Sequence, residues 1–251
     1  MKKAYNSRRK YFVFLGLLYI CLFFINVSCG LDVLDAVLED PFVTNESLPN
    51  ESSAFDSRTF RFTTTKLDNA NDFGKCYVYY KIYNSSRKES EKNQLDSIAA
   101  DSSRKHNSYS TLINSYSYQP LHFITLNGGQ EEELSFENQS QNVSIRLTNY
   151  GTDAYSARVI VDDVVIGTPV RYNGKSFDFG RTGDNDEKPV KLPTAEENNS
   201  DVKSLTEGDT NTFYVVMYGI FQMPSDSFDK IIYSPIHYLG EVKIDAGAEN
   251  N

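Results

Sequence analysis

From Arg58 onward, apolar and polar side chains alternate in short runs, the period of a β-strand with one buried face. In Phe60-Arg61-Phe62-Thr63-Thr64-Thr65, aromatic residues alternate with polar ones, and Asp68-Asn69-Ala70-Asn71-Asp72 supplies a turn. Cys76-Tyr77-Val78-Tyr79-Tyr80-Lys81-Ile82-Tyr83 is aromatic and β-branched almost throughout, the pattern of a central strand buried on both faces. Strand signals resume at 121–126, 142–148, 157–161, 164–166, 169–172 and 175–179, then close with 212–223 and 233–244. Asp162-Asp163 and Asn173-Gly174 predict two-residue hairpins, because Asn and Asp tolerate positive φ and Gly adopts it freely. Asn127-Gly128-Gly129 and Asn149-Tyr150-Gly151 predict further turns.

Residues 87–117 interrupt this alternation. Leu95, Ile98 and Ala99 keep helical spacing, and Tyr109, Leu112, Ile113 and Tyr116 repeat it at i, i+3, i+4 and i+7. Asp101-Ser102-Ser103 and Asn107-Ser108 predict a break and a new N-cap. Two short helices are therefore expected as an insert laid against the sheets. Upstream, 29–57 has Leu31, Val33, Leu34, Val37 and Leu38 for a turn or two of amphipathic helix. Pro41, Pro49 and a run of Asn, Glu and Ser follow, and bury little. The expectation there is a flexible tether. Residues 180–205 show no periodicity and are expected to form a mobile loop. The organisation expected is a leader over 1–28, the tether, one β-sandwich domain over 58–245 with its helical insert at about 87–117, and a disordered tail over 246–251.

The leader has a composition of its own. Lys2, Lys3, Arg8, Arg9 and Lys10 precede an apolar run from Tyr11 to Ile25, and Asn26-Val27-Ser28-Cys29-Gly30 closes it. That run makes about 22 Å of helix, against roughly 30 Å of hydrocarbon core. The five cations favour retention of that end in the cytoplasm. Such a segment reads as a secretory signal whose cleavage leaves Cys29 at the new N-terminus. It resembles bacterial lipoprotein precursors, in particular the relaxed lipoboxes of spirochaetes. Val27 and Ser28 fill their places, Ile25 takes the apolar role one place early, and Asn26 departs from the usual pattern. The resemblance implies lipidation of Cys29, by palmitate or similar acyl chains, and a bacterial cell-envelope location on the periplasmic or surface-exposed side. Several chains at about 0.8 kcal/mol per buried CH₂ make detachment negligible. An uncleaved signal anchor, with Cys29 an incidental thiol, is the alternative.

Charge narrows the partners. Without residues 1–28 the chain keeps twenty Lys/Arg against thirty-four Asp/Glu, a net −14. That balance argues against nucleic acid and against adsorption to anionic lipid. Cys21 leaves with the leader and Cys29 is acylated, so Cys76 is left without a disulfide partner and is expected to pack as a small apolar residue.

Gly74-Lys75-Cys76-Tyr77-Val78-Tyr79-Tyr80-Lys81 resembles the Tyr-rich central strand of fibronectin type III domains. Leu205-Thr206-Glu207-Gly208, followed by Phe213-Tyr214-Val215-Val216-Met217-Tyr218, resembles their tyrosine corner. The chain departs from that family in having no tryptophan, a longer Leu-to-Tyr spacing and the helical insert. The resemblance implies a mainly β fold, an antiparallel immunoglobulin/fibronectin type III-like β-sandwich, with Tyr214 bonded to backbone near Leu205. Seven to nine short strands separated by turns agree with it.

No readable active site stands out. His106, His122 and His237 each lie alone in their segments, and a lone strand histidine is normally packed and hydrogen-bonded. Asp184-Asn185-Asp186-Glu187 resembles the opening of a calcium loop, but Lys188 and Pro189 stand where an oxygen ligand and a glycine are needed. A solvated acidic loop and a looser cation site both remain open there. Gln130-Glu131-Glu132-Glu133 reads as a solvated charge run, and Tyr109, Tyr116 and Tyr118 as rings that either cap the core or form a recognition surface. No cofactor or metal is implied. Three functions are carried forward: a lipid-anchored, non-catalytic domain binding a protein or glycan; a structural or assembly lipoprotein of the envelope; and a hydrolase in which the fold brings together carboxylates or His122 and His237.

Overall fold

Two long strands that bury both faces require a covering layer on each side, and the fold supplies both. A computed structural model describes residues 38–44, 47–54, 57–84, 87–127, 129–148, 156–177, 200–203 and 212–245. In chain order the strands are β1 (Phe42–Val43), β2 (Phe60–Thr64), β3 (Lys75–Tyr83), β4 (Gln119–Pro120), β5 (His122–Thr125), β6 (Glu131–Glu133) and β7 (Ser135–Glu137). They continue as β8 (Gln141–Arg146), β9 (Arg158–Val161), β10 (Val164–Val170), β11 (Val202–Lys203), β12 (Thr212–Pro224), β13 (Ile231–Tyr233) and β14 (His237–Asp245). Helix α1 (Arg87–Ala100) and helical turns at Ser108–Ser110 and Thr111–Ser115 make the insert.

One sheet runs β1-β2-β8-β9-β10-β5-β6, every neighbour antiparallel. The second is built on β3 and β12, which pair antiparallel from Tyr83↔Tyr214 to Lys75↔Gln222. Three short strands tile the free edge of β3: β7 at Lys75–Tyr77, β4 at Tyr79–Tyr80, and β11, running parallel, at Ile82–Tyr83. β14 and β13 share the free edge of β12. The expected mainly β, two-sheet sandwich with a short helical insertion is present.

Strict alternation sorts the side chains of this second sheet. Cys76, Val78, Tyr80 and Ile82, with Phe213, Val215, Met217 and Phe221, meet Phe60, Phe62, Val143, Ile145 and Val159 of the first sheet in the main core. Their neighbours Tyr79, Tyr83, Val216, Tyr218 and Ile220 face the other way, onto Leu95, Leu112 and Tyr118 of the insert. At one edge the two sheets are joined covalently. The chain passes from β4 to β5 at Leu121 and from β6 back to β7 at Leu134, both fully buried. Leu134 N donates to Leu121 O at 2.8 Å, so the two crossings also bond to each other.

Several expectations are corrected. The tether is built into the fold from Leu38 on. Leu38 and Phe42 are buried, β1 pairs with β2, and Glu241 N donates to Pro49 O. Segments 164–166 and 169–172 join in one strand through Val170, with an irregularity between Val165 and Gly167, so Gly167 and Pro169 do not break it. No strand forms at Lys175–Phe177 after the Asn173-Gly174 turn. Within the expected 180–205 loop, Val202–Lys203 is a strand. Glu131–Glu133 and Ser135–Glu137 are strands that no apolar alternation announced. The last strand is two, β13 and β14, separated at Ser234–Ile236. Asn107 caps nothing with its side chain; Ser108 instead bonds Lys105 O and accepts from Ile236 N. Asp162 and Asp163 do take positive φ, of 48° and 65°, as their hairpin requires. The leader, Cys29, the Asp184–Glu187 loop, Leu205 and the 246–251 tail lie outside the described residues.

Polar groups are also locked into the interior. Asp201, with no exposed surface, accepts from Arg171 through both oxygens, Nε and Nη2 each at 2.6 Å. It also accepts from the Tyr80 hydroxyl at 2.7 Å, and Tyr172 N donates to that hydroxyl at 3.0 Å. This cluster ties the end of β10 to β3 and β11. Removing one partner leaves a buried charge bare, so Arg171→Ala is expected to cost about 3–5 kcal/mol. Tyr80→Phe, which deletes one hydrogen bond to that carboxylate, is expected to cost about 1–3 kcal/mol. Urea unfolding of both variants checks the order.

The buried tyrosines predict an alkaline transition. Burial holds the hydroxyls of Tyr80, Tyr83, Tyr118, Tyr218 and Tyr238 protonated well above the ordinary value of 10.0. The folded state therefore binds more protons than the unfolded chain once pH passes about 10, and stability falls as pH rises. Lys81 has the opposite sign, because burial lowers its pKa, but it is one group against five. Circular dichroism and tyrosinate absorbance are expected to change together in one cooperative step above pH 10.

Candidate interaction site

Among the described residues every other phenylalanine and tyrosine is buried or half-buried, whereas Phe73 and Phe228 are 63% and 64% exposed. Their ring centroids lie 5.4 Å apart at an interplanar angle of 75°. Ile231, 48% exposed, follows on β13. The two phenylalanines come from separate turns, one between β2 and β3 and one between β12 and β13. Because β3 and β12 pair as far as Lys75↔Gln222, both turns project from the same end of the second sheet.

Each turn is braced by its own sequence. Asn71 Oδ1 accepts from Phe73 N at 3.1 Å, and Asn71 Nδ2 donates across to Pro224 O at 2.8 Å, tying one turn to the other. Gly74 follows because a Cβ there would lie 2.3 Å from the Phe221 ring. In the second turn Ser225 N donates to Lys230 O, and Phe228 N to Ser225 O, both at 2.8 Å. Ser225 and Ser227 hydroxyls both donate to Asp229, at 2.7 and 2.5 Å, and hold its carboxyl below the usual range. Phe228 itself has a φ of 57°, a left-handed backbone that costs a side-chain-bearing residue about 1–2 kcal/mol. Strained backbone is thus used to hold an apolar ring out in water.

The residues singled out from sequence are placed elsewhere. His122 and His237 do not converge: His122 is on the first sheet with Nδ1 2.6 Å from Glu131, and His237 is on the second, 2.5 Å from Asp40 and stacked on Phe42. His106 is exposed and contacts Asn107. Cys76 is buried, and burial pushes its thiol up to about 12. The Tyr214 ring lies under the Lys88 ammonium, 4.1 Å from Nζ to centroid. Tyr118 is buried, Tyr109 stacks on Tyr233 at 3.7 Å, and the Tyr116 hydroxyl bonds Gln94, so these rings cap the outer face of the second sheet. Among the described residues no group of three or more His, Cys, Asp and Glu is placed to hold a metal ion. Nor is any described helix long and apolar enough to cross a membrane.

Sequence reasoning missed the phenylalanine pair. The signal was a single aromatic inside each of two otherwise polar turns, Asn71-Asp72-Phe73-Gly74 and Ser227-Phe228-Asp229-Lys230. A lone ring there has no periodic partner to bury it.

Substitution separates ring contact from backbone strain. Phe73→Ala is expected to cost about 0.5–1.5 kcal/mol, the worth of an aromatic pair. Phe228→Gly loses the same contact but relieves the left-handed backbone, and is expected to be more stable than Phe73→Ala by about 1 kcal/mol. Thermal unfolding of the two variants measures the difference. No protein-family model, curated protein or solved structure matches this chain.

Proposed function

We propose that this chain is a lipid-anchored, non-catalytic interaction domain of a bacterial cell envelope, processed before Cys29, acylated there, and binding a protein through Phe73 and Phe228. The exposed ring pair on braced turns carries the binding half of this reading, since apolar groups held rigidly in water favour a partner that covers them. The edge-to-face angle of the rings favours a protein over a glycan, because the rings present no common flat face for a sugar to stack on. The basic, apolar and small-residue order of residues 2–29 carries the anchor half.

The non-catalytic part draws support from the engagement of His122 and His237 with carboxylates on separate sheets and from the buried thiol of Cys76.

The test is the mass of the native N-terminus. Cys29 bearing acyl chains is expected as the first residue, and Cys29→Ala is expected to lose labelled palmitate and leave the membrane fraction. Recovery of Met1, or of Cys29 with an unmodified sulfur, overturns the anchor.

A further inference from the structure

We infer that the Phe73–Phe228 tip plugs into an apolar socket on its protein partner whose rim is lined by lysine and arginine. The inference rests on the interaction-domain reading above and adds the chemistry of the partner. Within the two turns, 67–74 and 224–231, stand four acids, Asp68, Asp72, Asp226 and Asp229, and one cation, Lys230. All four acids are exposed. Asp72 adjoins Phe73, Asp229 adjoins Phe228, and Asp226 lies two residues before it. Asp229 is kept ionised by the two serine hydroxyls that donate to it. The flanking Lys75 is held by Glu137 at 2.9 Å.

Apolar rings flanked along both turns by exposed carboxylates, which outnumber the exposed Lys66 and Lys230 four to two, select their complement. A socket with neutral or acidic edges leaves those carboxylates desolvated or repelled, whereas guanidinium and ammonium groups neutralise them and steer the approach. A bilayer fits less well. Seating both rings among acyl chains drags Asp72 and Asp229 into the interface, and anionic headgroups repel all four acids. The same turns account for specificity: rings provide buried contact and carboxylates reject wrong rims.

The test uses the full-length chain in the envelope of its own cells, with Phe228→benzoylphenylalanine as a photo-cross-linking probe. Irradiation is expected to give one major protein adduct, with the cross-linked peptide on an apolar surface flanked by lysine or arginine. Adding Asp72→Lys and Asp226→Lys, with melting temperature unchanged, is expected to lower its yield at least tenfold. Four results overturn the inference: an adduct to lipid acyl chains, a peptide without basic neighbours, a yield indifferent to charge reversal, or no adduct beyond that of the same probe at exposed Leu126. The anchor is read separately by the mass of the N-terminus, so an unlipidated Cys29 alongside a charge-dependent adduct removes the anchor and keeps the docking chemistry.

Discussion

The antiparallel pairing of β3 with β12 is the constraint from which the remaining architecture follows. Both strands are apolar on alternate sides over the length they share, so neither face of the sheet can be left in water. One face finds the first sheet, and the other needs the helical insert. This is why a helix-period segment of about thirty residues interrupts a β chain: it is the third layer. The outer edge of β3 is closed by two- and three-residue strands, which satisfy its backbone groups without offering a long edge for another chain to join, and that of β12 is covered by β13 and the nine-residue β14. Joining the sheets at Leu121 and Leu134 closes one side further.

The third layer is held in an unusual way. Helix α1 has one fully buried apolar residue, Leu95, and along the same face it buries Lys88 and Glu91. Glu91 accepts from the Tyr83 hydroxyl at 2.7 Å and lies 3.3 Å from Lys81, which also donates to Tyr116 O. Lys88 reaches Glu241 and Glu51, each at 2.8 Å, and covers the Tyr214 ring. Tyr118, which meets the Tyr83 hydroxyl at 3.1 Å, completes a network in which rings exclude water and hydroxyls bond the charges. Buried ion pairs of this kind are weak sources of net stability, because desolvation offsets attraction. What they supply here is register. A helix with one apolar anchor can slide or rotate on a sheet, and one whose charges each meet an opposite charge cannot do so without leaving them bare.

Legibility from sequence followed the number of residues that share a signal. β3 was readable because eight consecutive residues agreed on two-sided burial, and β2 and β8 because aromatic or branched residues recurred every second place. Leu95, Ile98 and Ala99 placed α1 for the same reason. β6 was unreadable because all three of its glutamates are exposed on an edge, so it has no buried face to announce it. β1 and β11 are two residues long and owe their conformation to Thr63–Thr64 and Ile82–Tyr83. Gly167-Thr168 separated two strand signals in the sequence. Gly167 is tolerated in β10 because the strand is irregular at Val165–Gly167 and the backbone of Ile124 lies against it too closely for a side chain. Arg171 and Asp201, thirty residues apart and each single in its segment, had no pattern to join them.

The tip follows the same logic in reverse. Elsewhere in this fold an aromatic ring is stabilising because the sheet opposite removes it from water, and its neighbours in sequence share the alternation that puts it there. Phe73 and Phe228 have no such neighbours. Their turns are fixed by asparagine and serine side chains bonding backbone and carboxylate, and those bonds remain whether or not the rings are covered. The turns are therefore stable without the rings, and the rings are not needed by the core. Phe228 even accepts a left-handed backbone that glycine would adopt at lower cost. The ring contact returns at best about what that backbone costs, so folding energetics alone give little reason for that choice of residue. A partner surface does, because a ring already fixed in place loses little conformational entropy when it is buried.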